Sequence, residues 1–233
     1  MIDSEIETRA ERLARRAPIA TLIGLAGFIG FWAAAMALYP GGTFQNPKHP
    51  GQSFFGNFFC DLTQPVSLSG VANPVGSRLA QCGMLFFAVA LWAAFWVVPS
   101  FFSRESPARP WLRRFASLSV LTFVVVSLLP SELVGSIHAL LALFAGLFGI
   151  VALLLAVHGL FRMPGAQRAL ALLGVLALLV GAFDAVIFVQ HLGERAPPPI
   201  IVPAAQKIAA ILLSAWMAGV ALFAILDKAR LGE

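Results

Sequence analysis

Long apolar runs alternate along the chain with short polar or glycine- and proline-rich breaks. Six runs, 18–39, 76–99, 113–130, 136–161, 168–191 and 204–227, have the length of a membrane span, for which a helix needs about 20 mostly apolar residues. None alternates with the period of two that marks a membrane β-barrel strand. Backbone groups in lipid must be satisfied inside their own segment, so each run is predicted as a helix. The third is the shortest and stops at Leu129-Pro130, where proline lacks the N–H that a continuing helix needs. The first run is longer than the apolar region of a cleaved leader, about 7–15 residues, so it is expected to remain as the first helix. The predicted fold class is an all-α membrane protein, a six-transmembrane-helix bundle. An arm over 1–17 precedes the membrane domain at 18–227, and a tail follows at 228–233.

Composition agrees. The 233 residues are 59% hydrophobic and 12% charged, where soluble domains run at roughly 45–50% apolar and about 25% charged. A mean hydropathy of +0.86 excludes a water-soluble enzyme and a disordered chain. Two cysteines are too few for a disulfide scaffold.

An even number of spans puts both termini on one face. That face collects Arg9, Arg12, Arg15, Arg16, Arg104, Arg109, Arg113, Arg114, Arg162, Arg168, Lys228 and Arg230, and the other only Lys48, Arg78, Arg195 and Lys207. The excess of Lys and Arg marks the first face as cytoplasmic, and a bacterial inner membrane is the expected location. The formal charge of +5 follows from this bias, so no nucleic-acid partner is expected. In the arm, Ile2, Ile6 and Leu13 share a helical face. A helix lying on the anionic leaflet and a solvated tail both fit.

Residues 40–75 form the one long connection, opening with Pro40-Gly41-Gly42. Phe54, Phe55, Phe58, Phe59 and Leu62 fall at i, i+1, i+4, i+5 and i+8, one stripe of a helix. This predicts a short interfacial helix over 52–62, with Asn57 and Asp61 turned toward polar protein.

The costly polar groups gather at the non-cytoplasmic end. Asp184 lies inside the apolar stretch Gly181–Phe188, where an ionisable group costs several kcal/mol unless paired or hydrated. His191 follows it by seven residues, about 10 Å along the same helical face. His138 opens the fourth span, and Asp61, Glu132, Arg78, Gln81, Gln206 and Lys207 fall at the same level. The candidate catalytic set is Asp61, His138, Asp184 and His191. His138, His191 and Asp184 are also candidate ligands for zinc, with an open position for an activated water. Acid–base work without a metal and haem ligation by the two histidines are alternatives. No HExxH or GxSxG spacing decides among them. Ser131 and Ser136 are read as helix caps. Cys60 and Cys82 lie toward the same end, and both a bridge and two free thiols are open readings. Gly135, Gly146, Gly149, Gly174, Gly181 and Gly219 are read as close helix contacts.

Three stretches, Asn57-Phe-Phe-Cys-Asp-Leu-Thr63, Leu129-Pro-Ser-Glu-Leu-Val-Gly-Ser-Ile-His138 and Gln206-Lys207 followed by Trp216, together resemble the bacterial and archaeal membrane family catalogued as domain of unknown function 998. A more distant likeness is to the eukaryotic Frag/DRAM/Sfk proteins. The resemblance covers the six-span layout and matches at Asp61 and His138. It departs at Glu132, where aspartate is more usual, and in the longer outer loop. Some eukaryotic kin remodel the lipids of anchored proteins, which implies membrane lipids as partners. The expectation is therefore a polar pocket near the outer leaflet that serves a lipid hydrolase or transferase. The alternative is a non-catalytic binder of a lipid or small molecule, or a membrane assembly partner. A transporter ranks third, because only Asp184 sits near the midplane.

Overall fold

The computed structural model describes residues 2–103, 105–163, 165, 167–192 and 197–231, with side chains from Arg15 onward except at 133 and 228–231. The apolar face suggested for the arm, and the side chains of Arg9, Arg12, Arg104, Arg195, Lys228 and Arg230, lie outside the described residues.

Among the described residues the chain forms α1 (Ile2–Leu38), α2 (Phe59–Leu62), α3 (Pro74–Val97), α4 (Ala108–Leu128), α5 (Ser131–Val134), α6 (Ser136–Phe161), α7 (Gln167–Gln190) and α8 (Ile201–Leu231). A 3-10 turn, Val98–Phe101, extends α3. Six stretches are long and apolar enough to cross a membrane: Arg15–Leu38, Pro74–Phe101, Ala108–Leu128, Ser136–Phe161, Gln167–Gln190 and Ile201–Asp227. The protein is an all-α integral membrane protein. Each span lies within a few residues of its apolar run. α4 starts at Ala108, after Pro107, a few residues before its run. It ends at Leu128 because Leu129 is pushed to extended backbone by Pro130. Gly135, at φ +53, makes the sharp break between α5 and α6.

The long helices pack in chain order, α1 on α3, α3 on α4, α4 on α6, α6 on α7 and α7 on α8, and α8 closes the ring on α1 and α3. α3 is the most buried span, with 67% of its apolar central stretch buried. Its seam with α1 is tight. A Cβ at Gly24 would stand 2.7 Å from the Ala90 backbone nitrogen, so small residues there let the backbones meet. Phe28 and Phe87 lie 4.8 Å apart between ring centroids, and Trp32 packs on Phe59 of the loop at 4.8 Å.

The loop between α1 and α3 folds over one end of this ring. Bridges pair Gly41 with Pro50 and Val66 with Ala72. The backbone N–H of Phe59 donates to Gln206 Oε1 at 2.9 Å, and Gln64 Nε2 donates to Ser131 Oγ at 2.9 Å. The loop is thereby tied to α8 and α5.

The helix predicted over 52–62 does not form; only Phe59–Leu62 is helical. Asn57 is the cause. Its Oδ1 accepts the Ser53 N–H at 2.9 Å, and its Nδ2 donates to the Gly42 carbonyl at 2.9 Å. The Phe58 N–H turns to Asp61 Oδ2 at 2.8 Å. Side-chain bonds to local backbone compete with the helical ladder. The phenylalanines separate as a result. Phe54 and Phe55 are exposed, whereas Phe58 is buried.

Candidate functional site

A partly open cavity of about 440 Å³ lies between the helices, walled by α3, α4, α6, α7 and α8 with Phe28 of α1, and roofed by the loop. Its size is that of a small-molecule pocket, roughly 300–1,000 Å³. Asp61, Gln64, Ser131, His138, Asp184 and Gln206 line it at the loop end. Away from the loop the walls are apolar, reaching Phe95 on α3, Leu153 on α6, Ala177 on α7 and Leu213 on α8. From His138 to Leu153 is about 22 Å along α6. Ser119 is the polar residue in the deep part, and its hydroxyl is spent on the Ala145 carbonyl at 2.8 Å.

Asp61 sits in the first turn of α2 and is 1% exposed. Oδ2 accepts the Phe58 N–H and, at 3.3 Å, Asn57 Nδ2. Oδ1 is buried without a hydrogen-bond partner. Burial raises its carboxyl to about 6, against the opposing pull of the Phe58 and Asn57 bonds and the Lys207 charge. Next to it, burial and the Asp61 charge push the Cys60 thiol to about 12. Cys60 therefore stays protonated and is a poor nucleophile. Cys60 and Cys82 are both free.

His138 is the third residue of α6, and its Nδ1 lies 2.6 Å from the Leu129 carbonyl. A carbonyl only accepts, so Nδ1 carries the proton and Nε2 is the basic nitrogen. Leu129 is left available by the Pro130 break, so the same proline that ends α4 orients the histidine. Asp184 projects from α7, on the face shared by Ala177, Gly181 and Phe188 that lines the cavity.

Asp61, His138 and Asp184 thus come to one cavity from three distant parts of the chain. His191 does not line it. α7 ends at Gln190, and the His191 ring bends back so that Nδ1 meets the Ile187 carbonyl at 2.8 Å. The expectation that His191 joins Asp184 at the site is corrected accordingly: its backbone N–H still reaches the Ile187 carbonyl, but its ring is held on that same carbonyl. Among the described residues no three His, Cys, Asp or Glu side chains are placed to hold a metal ion together. The proposed zinc set of His138, His191 and Asp184 does not fit this geometry, and no step is routed through a metal. Glu132 and Arg78 are exposed and do not line the cavity.

Lys207 carries more of the site than its place in an apolar run suggests. It is fully buried, its Nζ donates to the Asn57 carbonyl, and it stands 4.3 Å over the Phe59 ring. This lysine fastens α8 to the loop behind the cavity wall, and its charge reaches Asp61. The glycines divide. Gly174 and Gly219 are close contacts, with a Cβ 3.0 Å from Trp216 Nε1 and 2.8 Å from Leu170 Cδ2. A Cβ at Gly146 or Gly181 would meet nothing within 4 Å. For these two the reading as helix contacts is corrected, since they face open space at the cavity, and so it is for Gly135, which also meets nothing within 4 Å and serves the break between α5 and α6.

The fold and site define an integral membrane protein with a partly open cavity that is polar at one end and apolar along its length. Family models, curated proteins and solved structures offer no match to the chain.

Proposed function

We propose that the protein is a lipid hydrolase or transferase of the bacterial inner membrane, acting on a lipid or lipid-linked substrate drawn from the outer leaflet. The observation that carries this reading is the division of the cavity, with its titratable groups at the loop end and an apolar channel below. The arginine-poor loop end is the non-cytoplasmic side by charge bias. An amphiphile fits with its chain along α6 and α7 and its polar group among Asp61, His138 and Asp184. His138 Nε2 then takes a proton from an attacking water or hydroxyl and returns it to the leaving group. Ser131 is the side-chain hydroxyl at that end. The resemblance at Asp61 and His138 to the domain of unknown function 998 family fits this reading.

The test is a lipidomic comparison of strains carrying the native gene, a deletion, Asp184→Ala and His138→Ala. The deletion and both variants should accumulate the same uncleaved or untransferred lipid, with unfolding temperatures of the variants close to native. Variants that fail to fold point to a structural role. A second reading, a non-catalytic lipid binder, is favoured by the His138 tether, which runs to a main-chain carbonyl and not to a carboxylate. On that reading the lipid profile is unchanged while the purified protein still carries an amphiphile.

A further inference from the structure

On α8, Gln206, Ala209, Ala210 and Leu213 line the cavity. They fall at i, i+3, i+4 and i+7, one face of a helix. Gln206 is the polar member of that face and stands at its loop end. Its amide has a fixed orientation. The Phe59 N–H donates to Oε1 at 2.9 Å. A backbone N–H can meet only an acceptor, so the oxygen takes that side and Nε2 the other. Nε2 donates to nothing among the described residues, and it is not sealed in the packing as the indole nitrogens of Trp32 and Trp216 are. The neighbouring donors are engaged. Lys207 gives Nζ to the Asn57 carbonyl, Gln64 gives Nε2 to Ser131, and His138 gives its Nδ1 proton to Leu129. The loop therefore holds a neutral amide donor at the cavity before any substrate arrives. Such a donor suits the oxygen of a carbonyl, which gains negative charge when the carbon is attacked.

We infer that the bond processed is an acyl ester or amide of a lipid, and that Gln206 Nε2 donates to its carbonyl oxygen. This rests on the hydrolase or transferase reading above. The attacking water or hydroxyl adds through its oxygen to the carbonyl carbon and gives its proton to His138 Nε2, while the carbonyl π pair moves onto the oxygen held by Gln206. When that pair returns, the bond to the leaving oxygen or nitrogen breaks, and the leaving atom takes the proton from His138. Ester and water become acid and alcohol, with the histidine as it began.

Native mass spectrometry and infrared spectroscopy of the purified full-length protein in a neutral detergent test this with three probes of one chain length: monopalmitoyl glycerol isotope-labelled at its carbonyl, hexadecyl glycerol ether and hexadecyl phosphate. The ester is expected to bind about tenfold more tightly than the ether, the worth of one neutral hydrogen bond. Its bound carbonyl band should lie below the band in detergent alone. Gln206→Glu keeps an oxygen for the Phe59 N–H and replaces the donor by a second oxygen. It should bind ester and ether equally, with the carbonyl band back at its detergent position. Equal binding of ester and ether to the native protein, both blocked by Gly181→Leu, overturns the carbonyl inference and keeps the amphiphile cavity. An ester preference that survives Gln206→Glu overturns the role of Gln206, and a preference for the phosphate overturns the acyl class. If the variant does not fold, the native band decides alone, and an unshifted band overturns the inference. Binding of none of the probes overturns the inference and the cavity reading together.

Discussion

The α1–α3 seam and the α6–α7 wall use the same small residue for opposite ends. At Gly24 the missing side chain lets two backbones approach, with the Ala90 nitrogen 2.7 Å from where a Cβ would stand. At Gly146 and Gly181 the missing side chain leaves volume, with nothing within 4 Å. One half of the bundle is sealed by tilted aromatic contacts of Phe28 with Trp32 and Phe87. The other half stands apart around a cavity. A glycine in a membrane helix therefore closes an interface or opens a pocket, and only its neighbours across the gap decide which.

The contrast is most exposed to a paired substitution. Gly24→Leu drives a side chain into the backbone of α3 and should cost about 3 kcal/mol or more, read as lost folded protein in detergent. Gly181→Leu should change stability by less than about 1 kcal/mol, since the side chain enters empty space. Equal losses at the two positions would erase the distinction between the halves.

Next in size is Lys207→Met, which keeps the bulk of the side chain and removes its charge. The Asn57 carbonyl loses its donor and Asp61 loses the cation that favours its ionised form. Breaking a buried charged contact in this way should cost about 3–5 kcal/mol by chemical denaturation. Asp61→Asn in the same chain should recover part of that loss, because it removes the stranded carboxylate.

A third effect is in the pH dependence of unfolding. The Asp61 carboxyl titrates at about 6 in the folded protein and near its ordinary value of 3.8 when unfolded. Between those values the folded state holds more protons, so stability falls as pH rises from about 4 through 6 and is flat above. The amplitude is about 3 kcal/mol. Asp61→Asn should flatten this step in a thermal-unfolding series, and an unchanged step would assign the titration to another group.

The smallest expected effect separates the two thiols. Cys82 is exposed on α3, whereas Cys60 lines the cavity and holds its proton to about 12. Maleimide should label Cys82 well before Cys60. Faster labelling of Cys60 would mean that the roof over the cavity opens.

The spans were legible because each is a continuous apolar run bounded by arginine, glycine or proline, and lipid allows such a run no structure but a helix. The convergence of Asp61, His138 and Asp184 was legible as a shared depth, since the cost of burying such groups makes each one conspicuous. Three features were hidden. The phenylalanine spacing at 54–62 fits a helical stripe, but Asn57 diverts the backbone bonds that the helix would need. His191 directly follows α7 with its N–H still on the Ile187 carbonyl, but its ring turns back to that carbonyl and does not line the cavity, a side-chain choice that spacing does not encode. Lys207 was visible as a cation in an apolar run, yet its tie to Asn57 spans 150 residues and no local pattern encodes it.

The role of the cavity is tested most directly by extracting the protein from its membrane in mild detergent and quantifying the amphiphile that stays bound, in the native chain and in Gly181→Leu. A tightly held amphiphile in the native protein, missing from a well-folded Gly181→Leu, is the expected result. The same bound complement in both would show that the occupant does not sit between α6 and α7, and the functional reading built on that space would be wrong.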